Sequence, residues 1–505
     1  MGRLKPTLIL GGPGCGKTTA LLNIVEKAFS RGVEPNRIAY VAFTRKAAQE
    51  AKERMVEQFG VEPDAIPYFR TLHSFAFKHI DVEPAQILSG HKLRDYAKAE
   101  GLDISSSFVD EFGQVTAPPT TDDEKALSAD SLARLSQRSL DDVIIEQDLS
   151  LARVREVVSD YNEFKEDAIL YDFTDMLQKF VDTAVLPDFD LLIVDEAQDL
   201  SRLQWAMVDK LVDHSKDVYY AGDDDQAIYT WAGADIEHFL HLDADREVLP
   251  TSYRLKSNVF SACQKVIGFC DERYPKDWQP HADGGEVEYC SGLHHLDLTE
   301  GSWFFLARTN GLLRSFTKYM QDEGYAFWSN GPDGLQSSVA VDPVQAVLIY
   351  ENLRKGKPFE ASDMNLCWSF INKRLKPVNA PLFQPEIKYG IDDLCSTGFV
   401  ADKSWIDTLS LSGAMQRYIR MLRARGESLI KPPRITVSTI HGVKGGEADN
   451  VVIWQKLSGR TYKSWLKHDP QEVRALFTAM SRARERLIFL DTTTEKQYHV
   501  ERMLK

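Results

Sequence analysis

Two hydrophobic patterns alternate along the chain. Short continuous apolar runs, typical of strands buried on both faces of a parallel sheet, occur at Thr7–Leu10, Ile38–Ala42, Leu191–Val194 and Val218–Ala221. A segment with helical spacing, Ala20–Ala28, follows the first of these runs. Strands that alternate with helices predict an α/β protein built on parallel sheets flanked by helices.

Composition limits the size and the class of the protein. At 505 residues the chain exceeds what one hydrophobic core supports, so we expect several domains. The net charge of -15 argues against basic surface over the whole protein, but it leaves room for a local basic groove. The sequence has no apolar signal segment and no uncharged run approaching the ~18 residues of a membrane span. We therefore expect a soluble, cytoplasmic protein with no membrane partner.

The first apolar run leads directly into a glycine-rich loop, GGPGCGKTT. This loop fits the pattern G-x-x-x-x-G-K-[ST], in which backbone N–H groups cradle phosphates, the lysine neutralises them and the hydroxyl binds Mg²⁺. The strand before it and the helix after it strengthen the assignment. The sequence thus predicts a nucleotide site formed by Gly11, Gly12, Pro13, Gly14, Cys15, Gly16, Lys17, Thr18 and Thr19.

An acidic pair follows the third apolar run. Asp195 and Glu196 begin the sequence DEAQD at the carboxyl end of Leu191–Val194, where open α/β sheets place their ligands. Asp195 is expected to hold Mg²⁺ together with Thr18, and Glu196 to orient or deprotonate the attacking water. Such a pair alone is as often part of a solvated loop or a helix N-cap as part of a catalytic site. Beside the glycine-rich phosphate-binding loop (the P-loop), the catalytic interpretation is favoured.

A third polar stretch, GDDDQAIYTWAGA (222–234), begins where the run Val218–Ala221 ends. Its residues 223–226 therefore also lie at a carboxyl strand end and are expected to face the same phosphates. Gln226 is expected to sense the γ-phosphate through its amide.

The same stretch carries two aromatic residues. Tyr229 and Trp231 are two positions apart, so an extended segment presents both rings on one side. Stacking on unpaired bases is worth about 1–3 kcal/mol per base. The stretch predicts a link between ATP and a single strand, although a core position is the commoner outcome for either aromatic taken alone.

Further segments in matching order resemble the superfamily 1A DNA helicases of the UvrD/Rep/PcrA type. The series spans nearly the whole chain and is much more specific than any one motif. It implies two RecA-like P-loop NTPase motor domains, each interrupted by a mainly helical accessory insertion. Besides the three stretches above, the matching segments are AFTRKAAQEAKER (42–54), TLHSFA (71–76), YDFTDML (171–177), LPTSYRLKSNV (249–259), FFLARTN (304–310), ITVSTIHGVKGGEADNVVI (435–453) and EVRALFTAMSRARERL (472–487).

The resemblance implies that ATP and Mg²⁺ are the cofactors and that the second motor domain completes the ATP site. Tyr253 is expected to stack on adenine, Glu447 to contact the ribose, and Arg254 and Arg482 to reach the γ-phosphate across the cleft. Arginine contacts that exist only while ATP is intact close the cleft and release it in each cycle. The implied catalytic residues are Lys17, Asp195, Glu196, Gln226, Arg254 and Arg482.

The resemblance also implies a path for single-stranded DNA, with movement in the 3′→5′ direction and action at junctions of single and double strands. A loading, replication or repair partner is not identified by the sequence. The implied DNA contacts are Phe43, Thr44, Arg45, His73, Tyr229, Trp231, Arg308, Thr439, His441 and Lys444.

The motif order divides the chain. Within the first insertion, Thr116–Ser131 is rich in polar and turn residues and is predicted to be a loop or a partly disordered segment. The second insertion is shorter than is usual in the family. The predicted divisions are 1–76 and 171–247 for motor domain 1A, 77–170 for accessory domain 1B, 248–330 and 432–505 for motor domain 2A, and 331–431 for a reduced accessory domain 2B.

Three departures from the family pattern affect the expected activity. Only ten residues precede the P-loop, so we expect the family's segment that reads adenine through a glutamine to be missing and nucleotide selectivity to be relaxed or supplied elsewhere. Ala232 stands where the family usually has an arginine that supports the γ-phosphate, and GGEA replaces the usual GLEF. Hydrolysis is expected to persist through Arg254 and Arg482.

Three alternatives to a duplex-unwinding motor remain open. A translocase that strips proteins from single strands fits the reduced second insertion equally well. An ATP-gated DNA-binding module would require the loss of a water activator, and Glu196 is present. A small-molecule kinase leaves Tyr229 and Trp231 unexplained.

Overall fold

The computed structural model describes residues 5–105, 108, 119–331, 334–377 and 381–505. Within these residues, two mainly parallel sheets are flanked by helices, which confirms the predicted fold class. No helix in the described ranges is both long and apolar enough to cross a membrane.

The first sheet has six parallel strands in the order β3-β2-β4-β5-β1-β6. Its central strands are buried on both faces, as their continuous apolar runs predict. The strands are β1 (Thr7–Leu10), β2 (Ile38–Ala42), β3 (Phe69–Thr71), β4 (Phe189–Asp195), β5 (Ser215–Gly222) and β6 (Asp245–Val248). The helices that cover this sheet are α1 (Lys17–Ser30), α2 (Arg45–Phe59), α3 (Leu72–His79), α8 (Phe173–Thr183), α9 (Arg202–Asp213) and α10 (Ile236–Leu240).

In the described part of the segment between α3 and α8, four helices form a separate apolar core. They are α4 (Gly90–Glu100), α5 (Asp122–Leu135), α6 (Leu140–Glu146) and α7 (Leu151–Asp167). The prediction of a loop or partly disordered segment over Thr116–Ser131 is wrong from residue 122 onwards, where α5 begins; residues 116–118 lie outside the described ranges.

A capping box explains why α5 begins there. Thr121 accepts from the backbone N–H of Glu124, whose buried carboxylate accepts from the Thr121 backbone N–H in return. Ala126, Ala129 and Ala133 then bury one face of the helix in the insertion core. The polar residues at the start of this segment are caps, which the composition alone did not distinguish from a loop.

The second large sheet has seven strands among the described residues, in the order β12-β11-β15-β10-β16-β17-β9; of these, β12 is antiparallel to its neighbour and the others pair in parallel. Its strands are β9 (Glu286–Cys290), β10 (Trp303–Ala307), β11 (Phe327–Gly331), β12 (Gly334–Ser337), β15 (Ile435–Thr439), β16 (Ala448–Trp454) and β17 (Ala483–Leu490). Four shorter strands form two small pairs, β7 (Thr251–Lys256) with β8 (Gln279–Ala282) and β13 (Phe359–Glu360) with β14 (Lys388–Tyr389).

The helices of this half of the chain fall into two groups. Those that accompany the seven-stranded sheet are α11 (Ser257–Ile267), α12 (Asn310–Glu323), α18 (Gly459–Leu466), α19 (Pro470–Met480) and α20 (Val500–Met503). Those in the segment between β12 and β15 are α13 (Asp342–Arg354), α14 (Ala361–Phe370), α15 (Ile391–Cys395), α16 (Trp405–Thr408) and α17 (Gly413–Arg425).

The two sheets meet through an apolar contact beside the P-loop. We call the part of the chain up to β6 the first half and the part from β7 onwards the second half. Cys15 and Ile228 of the first half pack in one buried cluster with Leu255 and Trp278 of the second half. This contact brings the carboxyl ends of β1, β4 and β5 against the segment that begins with β7, so a cleft forms between the halves.

Candidate functional site

The P-loop connects β1 to α1 as predicted. Positive φ angles of 72° at Gly14 and 77° at Gly16 curl the backbone immediately before α1, a conformation that glycine adopts without strain. The N-terminus of α1 then favours an anion, because its first N–H groups and the helix dipole both attract negative charge. Lys17 Nζ donates to the carbonyl of Gly11 at 2.9 Å, so this ammonium lies over the loop.

Asp195 and Glu196 lie at the end of β4, beside the P-loop lysine. Asp195 is buried; Tyr40 Oη donates to its Oδ2 at 2.8 Å, and the backbone N–H of Glu196 donates to its Oδ1 at 2.9 Å. Burial, reinforced by the Glu196 carboxylate, raises the pKa of Asp195 to about 6. Burial opposes ionisation of Glu196 as well, but Lys17, Lys444 and the Gln198 amide together lower its pKa below the ordinary value. Glu196 is therefore ionised at neutral pH, as a general base must be.

A glutamine between these acids and the next strand links the two stretches. Gln198 Nε2 donates to Glu196 Oε2 at 2.5 Å, and Gln198 Oε1 accepts from the backbone N–H of Asp223 at 3.0 Å. The proposed water activator is thus held from the loop that follows β5. The periodicity of the sequence gives no sign of this contact.

Gln226 lies across the cleft from Arg482. Its Nε2 donates to Asp223 Oδ2 at 2.6 Å, and its Oε1 accepts a hydrogen bond from Arg482 Nη2. Arg482 Nη1 also donates to the Gly446 carbonyl at 3.2 Å. The amide that is expected to sense the γ-phosphate therefore contacts Arg482, a residue of the second half, directly.

The expectation that residues 223–226 all face the phosphates is wrong for two of them. Asp225 accepts from the Arg273 guanidinium at 2.8 and 2.7 Å, and Asp224 accepts from the backbone N–H of Tyr274 at 2.7 Å. Lys276 Nζ bonds Asp224 as well. These two carboxylates anchor the segment after α11, because a buried carboxylate requires a cationic or N–H partner.

Arg254 approaches the P-loop through both its backbone and its side chain. A Cβ at Gly14 would lie 2.3 Å from Arg254 Cβ, and the backbone N–H of Tyr253 donates to the Gly14 carbonyl at 2.9 Å. Arg254 Nε donates to Glu447 Oε2 at 2.6 Å, so the glutamate that is expected at the ribose also holds this arginine. Tyr253 is 68% exposed, so its ring is accessible to a base even though it lies 5.8 Å from the His281 ring.

Four rings form a cluster beside the cleft. Tyr229 lies 5.4 Å from Phe43, 6.4 Å from Trp231 and 6.0 Å from His441, measured between ring centroids. Trp231 Nε1 is buried and finds no hydrogen-bond partner among the described residues. Burial lowers the pKa of His441 to about 3, so its ring is neutral and Nε2 lies 3.2 Å from the Ile228 carbonyl. The cluster joins the two halves directly next to Gln226.

Four of the remaining predicted DNA contacts lie at the ends of strands in the two sheets. Thr44 is exposed and caps α2 by accepting from the Ala47 N–H, and Arg45 follows it on the surface. Thr439 ends β15 and accepts from the Gly442 N–H at 3.2 Å. His73 packs edge-on against Phe173, and burial lowers its pKa to about 4.

Two predicted DNA contacts hold intramolecular partners. Arg308 donates both Nε and Nη2 to Glu472, at 2.8 and 2.9 Å, and both side chains are largely buried. Lys444 Nζ bonds the Asp199 carboxylate and donates to the Gln226 carbonyl at 2.8 Å. The structure places these two cations on carboxylates and not on an open surface. Burial raises the pKa of Asp199 to about 7, against the opposing effect of Lys444.

The oxygen donors at the cleft suit a magnesium ion. Asp195 supplies a carboxylate at the end of β4 and Thr18 a hydroxyl in the first turn of α1, and Mg²⁺ prefers hard oxygen ligands supplemented by phosphate and water. Among the described residues no group of three or more His, Cys, Asp or Glu side chains forms a metal site alone. The two oxygen donors fit a magnesium ion whose other ligands are phosphate and water oxygens.

Sequence analysis missed several residues that shape the cleft. Trp278 packs on the P-loop: a Cβ at Gly12 would lie 2.6 Å from its ring. Gln198 lies within DEAQD and Tyr40 within the second apolar run, but neither was given a role, and no motif covers Arg273, Lys276 or Trp278. Each contacts a partner distant in sequence, as Tyr40 contacts Asp195 and Gln198 contacts the Asp223 N–H. The missed residues are Tyr40, Gln198, Arg273, Lys276 and Trp278.

Comparisons with known proteins agree with the motif series. The UvrD/REP helicase N-terminal domain matches residues 3–247, and the UvrD-like helicase C-terminal domain matches residues 434–490. The ATP-dependent DNA helicase PcrA of Leuconostoc citreum is 27% identical over 312 residues, which cover 56% of this chain and 40% of the relative. PcrA of Staphylococcus epidermidis is 27% identical over 326 residues, covering 58% and 42%, and PcrA of Staphylococcus aureus is 26% identical over 325 residues, also covering 58% and 42%. The match thus spans less than half the length of these curated relatives.

A solved structure was also found. An Arterivirus nonstructural protein 10 helicase in complex with DNA superposes with a TM-score of 0.36 at 10% identity, covering 99% of this chain and 63% of that one. A score this low supports no conclusion about this chain.

Proposed function

Because this chain belongs to the UvrD/REP helicase family, we propose that it is a DNA-stimulated ATPase that translocates 3′→5′ along single-stranded DNA and unwinds duplexes at junctions. The observation that carries this proposal is the position of Gln226. Its amide bonds Arg482 across the cleft, and the backbone next to it leads into the four-ring cluster. One short segment thus touches both the phosphate side and the proposed strand side.

Each residue of the cleft has a stated role in the proposed hydrolysis. Lys17 neutralises the phosphates, and Glu196, ionised and held by Gln198, orients the attacking water and accepts its proton. Arg254 and Arg482 approach from the second domain and stabilise the charge that develops on the γ-phosphate. Thr18 and Asp195 would hold Mg²⁺, which neutralises phosphate charge when bound.

The same residues account for coupling to a strand. Lys444 donates to the Gln226 backbone carbonyl and Arg482 to its side-chain oxygen, and both contacts require the two halves to be close. A γ-phosphate between Gln226 and the arginines stabilises closure, and its loss after hydrolysis removes that differential contact. The rings of Tyr229 and Trp231 move with this segment, so stacked bases would be carried with it.

The finer assignments belong to the same proposal. We divide the chain as predicted into motor domains 1A and 2A with accessory insertions 1B (77–170) and 2B (331–431), and we place the protein in the cytoplasm. The DNA path runs over Phe43, Thr44, Tyr229, Trp231 and Thr439, with Arg45, His73 and His441 along its edge. Arg308 and Lys444 serve as supports of this path through their ion pairs.

The test is ATP hydrolysis with and without single-stranded DNA. We expect stimulation in the parent, loss of turnover in Glu196→Gln with ATP binding kept, and weakened stimulation in Trp231→Ala. Trp368→Ala is the matched control, because this tryptophan is also half-buried but lies in α14 of the second insertion. If single-stranded DNA does not change the rate of ATP hydrolysis in the parent or in any variant, the proposed motor function is contradicted. Stimulated turnover without strand separation would leave a translocase that strips bound proteins.

A further inference from the structure

A lysine that no motif covers lies under the three consecutive aspartates. Lys276 belongs to the segment 270–278, between α11 and β8, and its side chain is 0% exposed. Its Nζ lies 3.2 Å from Asp223 Oδ1 and 3.0 Å from Asp225 Oδ2, and it bonds Asp224 between them. One cation of the second motor domain thus holds three carboxylates of the first.

The segment is anchored on both sides of Lys276, so the position of its ammonium is well determined. Arg273 makes a two-pronged ion pair with Asp225, and the Tyr274 N–H donates to Asp224. Trp278 packs its ring on Gly12 of the P-loop and lies edge-on to Phe260 at 4.8 Å. The lysine is therefore held rigidly next to the nucleotide loop.

Asp223 transmits this position to Gln226. A carboxamide has a donor end and an acceptor end, and exchange of the two ends reverses every hydrogen bond that it makes. Asp223 Oδ2 accepts from Gln226 Nε2 at 2.6 Å, which directs Oε1 towards Arg482. A reversed amide would place two oxygens against each other at Asp223 and its NH₂ group against the guanidinium. The productive orientation thus depends on where Asp223 is held.

We propose that Lys276 is a positioning residue that fixes Asp223 and, through it, the orientation of the Gln226 amide towards Arg482. This inference rests on the proposed function, in which Gln226 and Arg482 together meet the γ-phosphate. The inference adds Lys276 to the residues that couple the two domains. In this proposal Lys276 contacts neither nucleotide nor DNA, but it orients the Gln226 amide, which contacts the γ-phosphate.

A purely structural role makes a different prediction. If Lys276 only neutralises buried carboxylates, removal of one negative charge should compensate for its loss. If Lys276 positions Asp223, the same compensation restores stability without restoring catalysis, because Asp223 is still not held.

The experiment measures kcat and KM for ATP at saturating single-stranded DNA, and the thermal midpoint, in Lys276→Met, Gln226→Ala and the double variant. We expect Lys276→Met to lower kcat about 10- to 100-fold, the effect of a misplaced contact at a reacting group, and to leave KM for ATP unchanged. In the Gln226→Ala background, the same substitution should cause no further loss of kcat, since both changes act through one amide. Lys165→Met is the control: this buried lysine also bridges two aspartates, Asp172 and Asp175, but it lies in the first insertion.

The Lys276→Met/Asp224→Asn variant keeps the cluster charge-balanced and serves if the single variant does not fold. Recovery of the thermal midpoint with kcat still low supports the proposal, and recovery of both overturns it. Multiplicative losses in the Lys276→Met/Gln226→Ala variant also overturn it. If single-stranded DNA does not stimulate ATP hydrolysis by the parent protein, the proposed function itself is refuted. If DNA stimulates the parent and Lys276→Met has the same kcat as the parent, only the role of Lys276 is refuted.

Discussion

Arg482 of the second motor domain donates a hydrogen bond to the side-chain oxygen of Gln226 in the first. The arginine is 1% exposed and is held by the Thr478 carbonyl at 3.0 Å and the Ser481 hydroxyl at 3.0 Å. Burial next to Arg254 lowers its pKa to about 9, so the guanidinium is still a cation at neutral pH. A desolvated cation with a fixed orientation stabilises developing phosphate charge more strongly than a solvated one.

Arg482→Ala should therefore abolish most of the DNA-stimulated turnover. Arginine fingers contribute about 10³- to 10⁵-fold to kcat, and we expect a loss in that range with ATP binding reduced far less. Arg486→Ala is the control, because Arg486 lies four positions further on, within β17, and pairs with Glu288 away from the cleft. Steady-state hydrolysis and equilibrium nucleotide binding measure the two quantities. Equal losses in both would show that Arg482 binds ATP uniformly and does not act on the transition state.

Glu447 holds Arg254, and this contact predicts how its loss changes the kinetics. Because Arg254 Nε donates to Glu447 Oε2 at 2.6 Å, Glu447→Gln weakens a charge-assisted bond that orients the guanidinium. We expect kcat to fall about tenfold for ATP and 2′-deoxy-ATP alike, with the ratio of their KM values unchanged.

A direct contact between Glu447 and the ribose predicts a different kinetic result. A ribose contact by Glu447 would make the variant lose its preference between ATP and 2′-deoxy-ATP, mainly through KM. Arg484→Ala controls for charge, since Arg484 is the second cation beside Glu447, at 3.6 Å.

The fold and the centre of the cleft could be predicted from sequence because their signals are local. The apolar runs of β1 and β4 each deliver polar residues at the strand end, and Lys17, Asp195 and Glu196 lie together for that reason. The charge pairs could not be predicted: Lys276 meets aspartates about fifty positions earlier, and Arg308 meets Glu472 across the chain. Periodicity reports which face of an element is buried, but it carries no information about which buried charge finds which partner.

A polar segment was misjudged for a related reason. Thr120 and Ser105 donate to the Glu124 carboxylate, so polar side chains that suggested solvent are satisfied inside the insertion. Composition does not separate a cap from a loop, and only the alanines that follow on one helical face would have done so.

The buried imidazole of His441 predicts an acid-sensitive native state. Its folded pKa of about 3 lies below the unfolded value of about 6.5, so below pH 6.5 the unfolded chain binds a proton that the folded chain does not. Its contribution to stability is complete above pH 6.5 and is lost as the pH falls towards 3. Between pH 7 and pH 5 this one group should cost about 2 kcal/mol.

His441→Gln should remove that part of the pH dependence, because a glutamine can donate to the Ile228 carbonyl without titrating. Denaturant unfolding of both proteins at pH 5 and pH 7 measures the difference. Parallel losses in the parent and the variant would show that His441 already binds a proton in the native state.

Gly14 and Gly32 provide a matched pair that separates backbone strain from a clash across the cleft. Both have positive φ, 72° and 83°, so alanine at either position costs about 1–2 kcal/mol of backbone strain. A Cβ at Gly32 meets nothing within 4 Å, whereas a Cβ at Gly14 would lie 2.3 Å from Arg254 Cβ and 3.0 Å from the Arg254 backbone nitrogen. Gly14→Ala must therefore displace β7 and its arginine from the P-loop. We expect Gly32→Ala to lower the unfolding midpoint alone, and Gly14→Ala to lower kcat as well. Hydrolysis assays at a temperature where both variants are folded measure the difference in kcat. Similar kcat values in the two variants would mean that turnover does not need the close approach of Arg254 to the P-loop. The cleft closure of the proposed motor would then have to involve other residues.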